Sequence, residues 1–123
     1  MRIGELSQRT GVSPRSLRYY EDQGLMHSSR SDAGQRHYSE AEVERVLLIR
    51  KLFDAGLSSR VIANVLPCVD LPDSLDVAEE TFTAMARERD RLNAEIAHLV
   101  ESRDALEVLM SGNTRHREAL SGR

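Results

Sequence analysis

The chain has 123 residues, of which 40% are hydrophobic and 30% charged, and its net charge is −3. This length leaves room for about one domain with one core, and the balance of apolar and charged residues excludes wholesale disorder. Charge gives little support for nucleic-acid binding, because residues 1–66 carry only +2, whereas residues 67–123 carry −5. The asymmetry indicates that the two halves have different partners.

Targeting and redox features are sparse. The N-terminal residues lack the apolar stretch of a signal peptide, and no run approaches the roughly 20 apolar residues of a membrane span. We therefore expect a cytoplasmic protein without a membrane partner. The single cysteine, Cys68, excludes an intramolecular disulfide and any motif built on a cysteine pair.

Two short helices joined by a tight turn are predicted at the start of the chain. The first begins at Ile3 and ends at Gly11, a residue type that tolerates the left-handed conformation after a helix. Ser13 caps the second helix, Pro14 suits its first position, and the helix ends near Gln23. Such a pair is typical of a helix-turn-helix.

A small β-hairpin is predicted next, because residues 27–38 are polar and contain a turn signal at residues 32–34. Ser39 and Glu42 then have the spacing of a capping box, in which each side chain bonds the other residue's backbone N–H. The pattern predicts a third helix that begins there and ends at Gly56.

The second half of the chain is predicted to be almost entirely helical. Ser58 caps a fourth short helix, which Pro67 stops, and residues 67–76 form a joint rich in proline and aspartate. Beyond the joint, an uninterrupted helical pattern runs to about Ser111, and residues 112–113 end it.

The long helix carries an apolar stripe at heptad spacing, interrupted by two arginines. A single helix cannot bury such a stripe, and the preceding helices are too short to cover about nine turns, so the pattern favours a partner helix and a dimer. The alternative is that the helix folds back on its own N-terminal half. The predicted seam consists of Phe82, Met85, Arg89, Leu92, Ile96, Leu99, Arg103, Leu106 and Met110.

The second helix, within SPRSLRYYEDQGL, has the features of a DNA-recognition helix. Leu17 faces the core, whereas polar and aromatic side chains lie toward the exposed N-terminal half, the part that reaches base edges in the major groove. Arginine can pair with guanine, and arginine or tyrosine can hold phosphates. Tyr20 lies near the Leu17 side and can belong to the core instead, and an exposed arginine-bearing face also occurs in proteins that bind no DNA. The candidate contacts are Arg15, Ser16, Arg18 and Tyr19.

The segments IGELSQRTGVSPRSLRYYEDQGL, RSDAGQRHYSEAEV and DAGLSSRVIANVL together resemble the N-terminal domain of the MerR family of bacterial transcription regulators. The resemblance implies a mainly α fold, with a winged helix-turn-helix head, a small β-hairpin wing, a helix pair and a long C-terminal helix that forms an antiparallel dimerisation coiled coil. We expect the DNA-binding domain at residues 1–70, the dimerisation helix at 71–112 and a flexible polar tail at 113–123.

The resemblance also implies a mechanism. Family members bind, as homodimers, a palindromic operator in a promoter spacer that is too long for RNA polymerase, and an effector makes them bend and untwist the double-stranded DNA. Gln35 stands where the family often has an aromatic residue, which weakens any expectation of stacking at the wing tip. The implied DNA contacts are Arg15, Ser16, Arg18 and Tyr19 on the recognition helix, Tyr20 at a family aromatic position, and Arg30, Arg36 and Tyr38 in the wing.

The sequence does not identify an effector. A soft-metal site needs several thiolates or imidazoles together, and Cys68 is alone while the histidines are scattered, so we expect neither metal nor cofactor. Cys68 is a candidate thiol sensor at the joint, the alternative being a small packed residue. A small effector would have to use apolar residues of the joint, which packing explains equally well: Val69, Leu71, Leu75, Val77 and Phe82.

Three other functions agree less well with the sequence. An architectural or recombination-accessory DNA binder of the excisionase type shares a related winged head, but such proteins usually lack a long dimer helix. An enzyme is not expected, because no paired carboxylates, nucleophile with its base or phosphate-binding loop is present. A coiled-coil adaptor that uses only the C-terminal half would leave the arginine- and tyrosine-bearing second helix unexplained.

Overall fold

The computed structural model describes residues 1–122 and confirms the predicted mainly α fold with a small hairpin. The chain divides into two compact units, a head unit of Met1–Met85 and a distal unit that begins at Ala86. The elements in chain order are α1 (Ile3–Thr10), α2 (Pro14–Asp22), β1 (Ser29–Arg30), β2 (Arg36–His37), α3 (Ala41–Asp54), α4 (Ser59–Asp70) and α5 (Leu75–Ser121).

The predicted helix-turn-helix is confirmed together with its capping residues. Gly11 ends α1 in the left-handed region with φ 73°, and its N–H donates to the Ser7 carbonyl at 2.9 Å. The Ser13 side chain accepts the backbone N–H of Ser16 at 3.1 Å, which caps α2, and Pro14 occupies the first turn. Each of these signals acts within a few residues, and therefore the sequence alone was enough to place both helices.

The hairpin, called the wing below, is fastened to the start of the chain. Its two strands pair antiparallel, with Ser29 opposite His37 and Arg30 opposite Arg36. The Tyr38 N–H donates to the Met1 carbonyl at 2.7 Å, and the terminal ammonium of Met1 donates back to the Tyr38 carbonyl at 2.7 Å. The base of the wing is therefore held against the N-terminus of α1.

The core of the head unit lies where α1 packs on α2 and α3, and α3 packs on α4. At the edge of this core, the Arg45 guanidinium donates to the Leu25 carbonyl at 2.9 Å and to the Asp70 carboxylate at 3.0 Å. The buried apolar residues are Leu6, Val12, Leu17, Tyr20, Leu25, Met26, Tyr38, Val46, Ile49, Val61, Ile62 and Leu66. Such a core, drawn from α1, α2, α3 and α4, fixes the orientation of α2.

The predicted start of α3 is wrong in detail. Glu40, in helical conformation, is the N-cap residue and makes no side-chain capping bond. The Glu42 N–H donates to the backbone carbonyl of Ser39 at 3.0 Å rather than to its hydroxyl. The chain has therefore already entered a helical turn at Ser39, and the capping box does not form.

Two predicted helix ends are also wrong. Pro67 lies inside α4, which continues to Asp70. Because proline has no backbone N–H, the Ala63 carbonyl lacks its helical hydrogen bond, but Ala63 is exposed and its carbonyl is open to water. Residues 112–113 do not end α5, which continues to Ser121, because Gly112 lacks the positive φ of a helix-ending glycine. The predicted tail is therefore helical up to Ser121, and its last residue, Arg123, lies outside the described residues. The division at residues 70 and 112 stays a prediction.

Candidate nucleic-acid interface

The exposed face of α2 brings together the residues that the sequence put forward for DNA contact. Arg15 and Arg18 are exposed, and Tyr19 is 46% exposed. Ser16 is half-buried, and its hydroxyl accepts a hydrogen bond from Ser13 at 3.1 Å. Leu17 is fully buried on the opposite face. Two guanidinium groups and one phenol are thus presented from a capped, anchored helix, and Ser16 lies beside them near the helix start.

Tyr20 belongs to the core, as the alternative interpretation of the sequence had it. It is 7% exposed, and its ring stacks on that of Phe53 from α3, with centroids 5.4 Å apart. Burial raises the pKa of the Tyr20 phenol, and the charge of Asp54 adds to that rise. The DNA-backbone role that the resemblance implied for Tyr20 is therefore replaced by packing, which anchors α2 on α3.

The wing places its two arginines on opposite strands. Arg30 and Arg36 are directly opposed in the antiparallel ladder, so their side chains start from the same face of the hairpin. The Arg30 guanidinium is exposed and donates to the Gly34 carbonyl at 2.8 Å. Gln35, which stands where the family often has an aromatic residue, is exposed. One face of the wing therefore carries two cations.

Tyr38 does not lie on the surface of the wing. It is 2% exposed, and its hydroxyl is buried beside the Arg36 side chain. Burial raises the pKa of the Tyr38 phenol, and the negative charge of Glu21 raises it further. The contact with the DNA backbone that the resemblance implied is therefore corrected: β2 ends at His37, and the next residue turns into the core.

Glu21 is the residue of this region that sequence reasoning missed. It lies in the last turn of α2, accepts a hydrogen bond from the Ser28 hydroxyl, and its Oε2 is 3.4 Å from the Arg36 guanidinium. Its side chain is 17% exposed. An acidic residue at the end of a helix ordinarily faces solvent, and the residues that it meets are 7 and 15 positions away, so no local signal could have found it.

The predicted seam residues of α5 are exposed throughout the described chain. The seven apolar members lie between 38% exposed at Leu92 and 65% exposed at Phe82. The two arginines of the seam are ion-paired to the residue that follows each, Arg89 with Asp90 at 3.2 Å and Arg103 with Asp104 at 3.1 Å. The structure thus shows an uncovered apolar stripe whose partner the dimer prediction would supply.

The candidates for an effector site give little. Cys68 is a free, half-buried cysteine, and no group of three or more potential metal-ligating side chains occurs among residues 1–122. Of the apolar residues of the joint, Val77 lines a small cavity of about 150 Å³ between α4 and the start of α5, and the exposed Val69 lines a second cavity of about 580 Å³ between α3 and the end of α4. The other three are exposed. Among residues 1–122, no helix combines the length and the apolar composition that a membrane span requires.

A capped helix-turn-helix followed by a two-stranded wing is the architecture of a winged DNA-reading head. The sequence profile of the MerR HTH family of regulatory proteins matches residues 1–67, more than half of the chain. The chain belongs to this family of DNA-binding transcription regulators.

Individual relatives extend the likeness beyond the head. An uncharacterised HTH-type transcriptional regulator of Pseudomonas aeruginosa is 33% identical over 112 residues, which cover 89% of this chain and 83% of that protein. Nodulation protein NolA of Bradyrhizobium elkanii is 31% identical over 91% of this chain, which spans only 48% of NolA. One similar solved structure is that of HiNmlR, a MerR family regulator lacking the sensor domain, bound to promoter DNA. Its match to this chain has a TM-score of 0.58 and 23% sequence identity, and it covers 85% of this chain and 78% of the HiNmlR chain. That last likeness is one of fold.

Proposed function

We propose that the chain binds a palindromic operator in double-stranded promoter DNA as a homodimer, with α2 in the major groove and the wing on the adjacent backbone. The observation that carries the proposal is the division of α2 into two faces. Arg15, Arg18 and Tyr19 are exposed on one face, whereas Leu17 and Tyr20 are buried on the other. A helix anchored in this way presents its cations in one fixed orientation, as reading of base edges requires.

The interface divides into base-reading and phosphate-holding parts. Arg15, Ser16 and Arg18 lie in the first half of α2, which in helix-turn-helix proteins reaches the base edges. Tyr19, Arg30 and Arg36 suit contacts to phosphates, which fix the register but carry no sequence information. The affinity then rests on a few placed cations rather than on net charge, consistent with the small positive charge of residues 1–66.

The dimer part of the proposal rests on the exposed stripe of α5. Burying apolar surface contributes about 25 cal/mol per Å², and a second copy of the same helix supplies a matching stripe. In an antiparallel pair, the register decides which residues face Arg89 and Arg103, whereas in a parallel, in-register pair each would meet an identical cation. Two heads joined in this way match two half-sites about one turn of DNA apart.

Control of transcription then follows from deformation of the DNA. A promoter whose recognition elements are set too far apart is realigned for RNA polymerase when the bound dimer bends and untwists the spacer. Deformation of this kind costs on the order of 1–6 kcal/mol, which contacts made only in the bent state can supply. We place the DNA-binding domain at residues 1–70 and the dimerisation helix from residue 71 onward, acting in the cytoplasm by binding and not by catalysis.

The test compares two arginine substitutions. Arg18→Ala removes a proposed base contact, and the matched control Arg60→Ala removes an exposed arginine of α4. With DNA from the region upstream of the gene, we expect Arg18→Ala to weaken specific binding by roughly tenfold to a hundredfold and Arg60→Ala to change it less than threefold. Binding by Arg18→Ala equal to that of the unaltered protein at moderate salt would overturn α2 as the reading helix.

A further inference from the structure

One carboxylate joins the recognition helix to both sides of the wing. Glu21, in the last turn of α2, accepts a hydrogen bond from the hydroxyl of Ser28, the residue immediately before β1. The same carboxylate lies 3.4 Å from the Arg36 guanidinium on β2. One side chain of α2 therefore contacts the wing both just before its first strand and on its second strand.

The position of this carboxylate is unfavourable for DNA binding on charge alone. It contacts Arg36, which is proposed to bind a phosphate, and a negative charge there repels the polyanion. Its Oε2 atom is buried, and apart from the ion pair with Arg36 no hydrogen-bond partner for it occurs among residues 1–122. Desolvating a carboxylate costs free energy, which the contacts to Ser28 and Arg36 must offset.

The same contacts fix a geometry that DNA binding needs. A two-stranded hairpin is marginal by itself, so its orientation depends on what it is fastened to. The backbone bonds between Tyr38 and Met1 hold the base of the wing, whereas Glu21 holds the strand that carries Arg36. Because Arg30 is paired with Arg36 in the ladder, the position of Arg30 depends on that of Arg36.

We propose that Glu21 is a positioning residue, which orients the wing relative to α2 so that Arg30 and Arg36 reach the DNA backbone beside the groove that α2 occupies. This role rests on the proposed DNA binding. Glu21 itself touches no DNA in this arrangement; it acts through the two arginines of the wing.

The sign of one substitution separates positioning from simple charge repulsion. Glu21→Gln removes a negative charge, so repulsion alone predicts tighter binding. Positioning predicts weaker binding, by roughly tenfold, because the amide cannot balance Arg36 and the wing is released. Asp22→Asn is the matched control, since it removes the same charge from the next, exposed residue of α2. We expect it to leave affinity unchanged or slightly raised.

The salt dependence of binding gives a second readout that a loss of folding stability would not move. The slope of log K against log salt is about −0.9 per phosphate contact, and a dimer has two wings with two arginines each, so release of both wings should make the slope shallower by about two to four units. Hydroxyl-radical footprints should lose the protection that the wing gives while keeping the protection at the groove that α2 occupies. Thermal unfolding of each variant identifies the temperature range in which all of them are folded.

Ser28→Ala keeps the proposal testable if Glu21→Gln fails to fold, because it removes only the hydroxyl contact and no charge. We expect it to weaken DNA binding by roughly threefold, which is less than the effect of Glu21→Gln. Glu21→Gln binding as tightly as Asp22→Asn, or losing affinity with an unchanged salt slope and footprint, would overturn the positioning role. If Arg18→Ala also leaves binding unchanged, the proposed function itself fails; if Arg18→Ala abolishes binding while Glu21→Gln does not, only the role of Glu21 fails.

Discussion

The ring of Tyr20 in α2 lies on the ring of Phe53 in α3, with centroids 5.4 Å apart and planes inclined by 16°. The neighbouring Tyr19 ring also lies near Phe53, at 6.3 Å, but is 46% exposed. Phe53 is therefore a support for both tyrosines, one facing the core and one facing outward. The orientation of the proposed reading helix depends on this aromatic group of three.

Phe53→Ala is expected to destabilise the head by about 2–3 kcal/mol, because it removes a stacking partner and leaves a cavity under α2. Urea unfolding of the full chain measures the loss, and tyrosine circular dichroism reports the freed rings. Phe53→Leu, which keeps most of the volume, should lose about half as much. A change below about 0.5 kcal/mol for the alanine variant would show that Phe53 does not support α2.

The Arg9–Glu40 pair predicts a lowered carboxyl pKa. Both terminal guanidinium nitrogens of Arg9 donate to the Glu40 carboxylate at 2.7 Å, and these bonds lower the pKa of Glu40 and raise that of Arg9. A carboxyl whose folded-state pKa is depressed adds stability above its unfolded pKa of about 4.3, and this contribution is lost as pH falls through the folded-state pKa. NMR titration should find Glu40 titrating below its usual range, and Arg9→Ala should restore the usual value. An unshifted titration in the unaltered protein would contradict the pairing.

Local signals account for what the sequence predicted well. The caps at Ser13 and Ser58 and the helix end at Gly11 depend on bonds between residues a few positions apart, and the structure has all of them. The exposed face of α2 followed from helical periodicity around Leu17, which needs no knowledge of the rest of the chain. For these reasons the fold class and the recognition helix could be predicted from the sequence.

Tertiary contacts account for what the sequence did not predict. The sequence from Ser39 to Glu42 matches a capping box, but the chain is already helical at Glu40, which also pairs with Arg9. Tyr38 follows a strand of only two residues, too short for an alternating pattern to show which way the next side chain points. The role of Glu21 depends on the return of the wing to α2, which spacing along the chain does not show.

We expect the Glu42→Gln variant to differ in stability from the unaltered chain by an amount that grows with pH. Burial raises the pKa of the Glu42 carboxyl, against the opposing effects of a backbone hydrogen bond from His27 and the charge of Arg45. A carboxyl with a raised folded-state pKa adds stability below its unfolded pKa of about 4.3, and this contribution is lost as pH rises through the folded-state pKa. Glu42→Gln, which is neutral at every pH, should therefore melt roughly 2 °C higher at pH 7 and at the same temperature as the unaltered chain near pH 4.

The control for this prediction is Glu44→Gln, which removes a carboxylate from an exposed position of the same helix. The melting temperature of this variant should differ from that of the unaltered chain by the same amount at pH 4 and at pH 7. A gain for Glu42→Gln that is equal at both pH values would indicate a packing effect and would contradict desolvation as the cause.

The seam of α5 predicts the outcome of placing a charge in it. Leu99 is 61% exposed at a seam position, whereas Val108 is 71% exposed on α5 outside the seam. If a second copy covers the seam, Leu99→Asp would desolvate one carboxylate in each copy and remove two buried leucines, which should raise the dimer dissociation constant by about a thousandfold or more. Val108→Asp places the same charge on the same helix and should change it little. Sedimentation velocity at micromolar concentration distinguishes the two variants. Equal sedimentation of the Leu99→Asp variant and the unaltered chain would mean that the stripe is not the dimer contact, and weakening by Val108→Asp alone would move the contact to another face of α5.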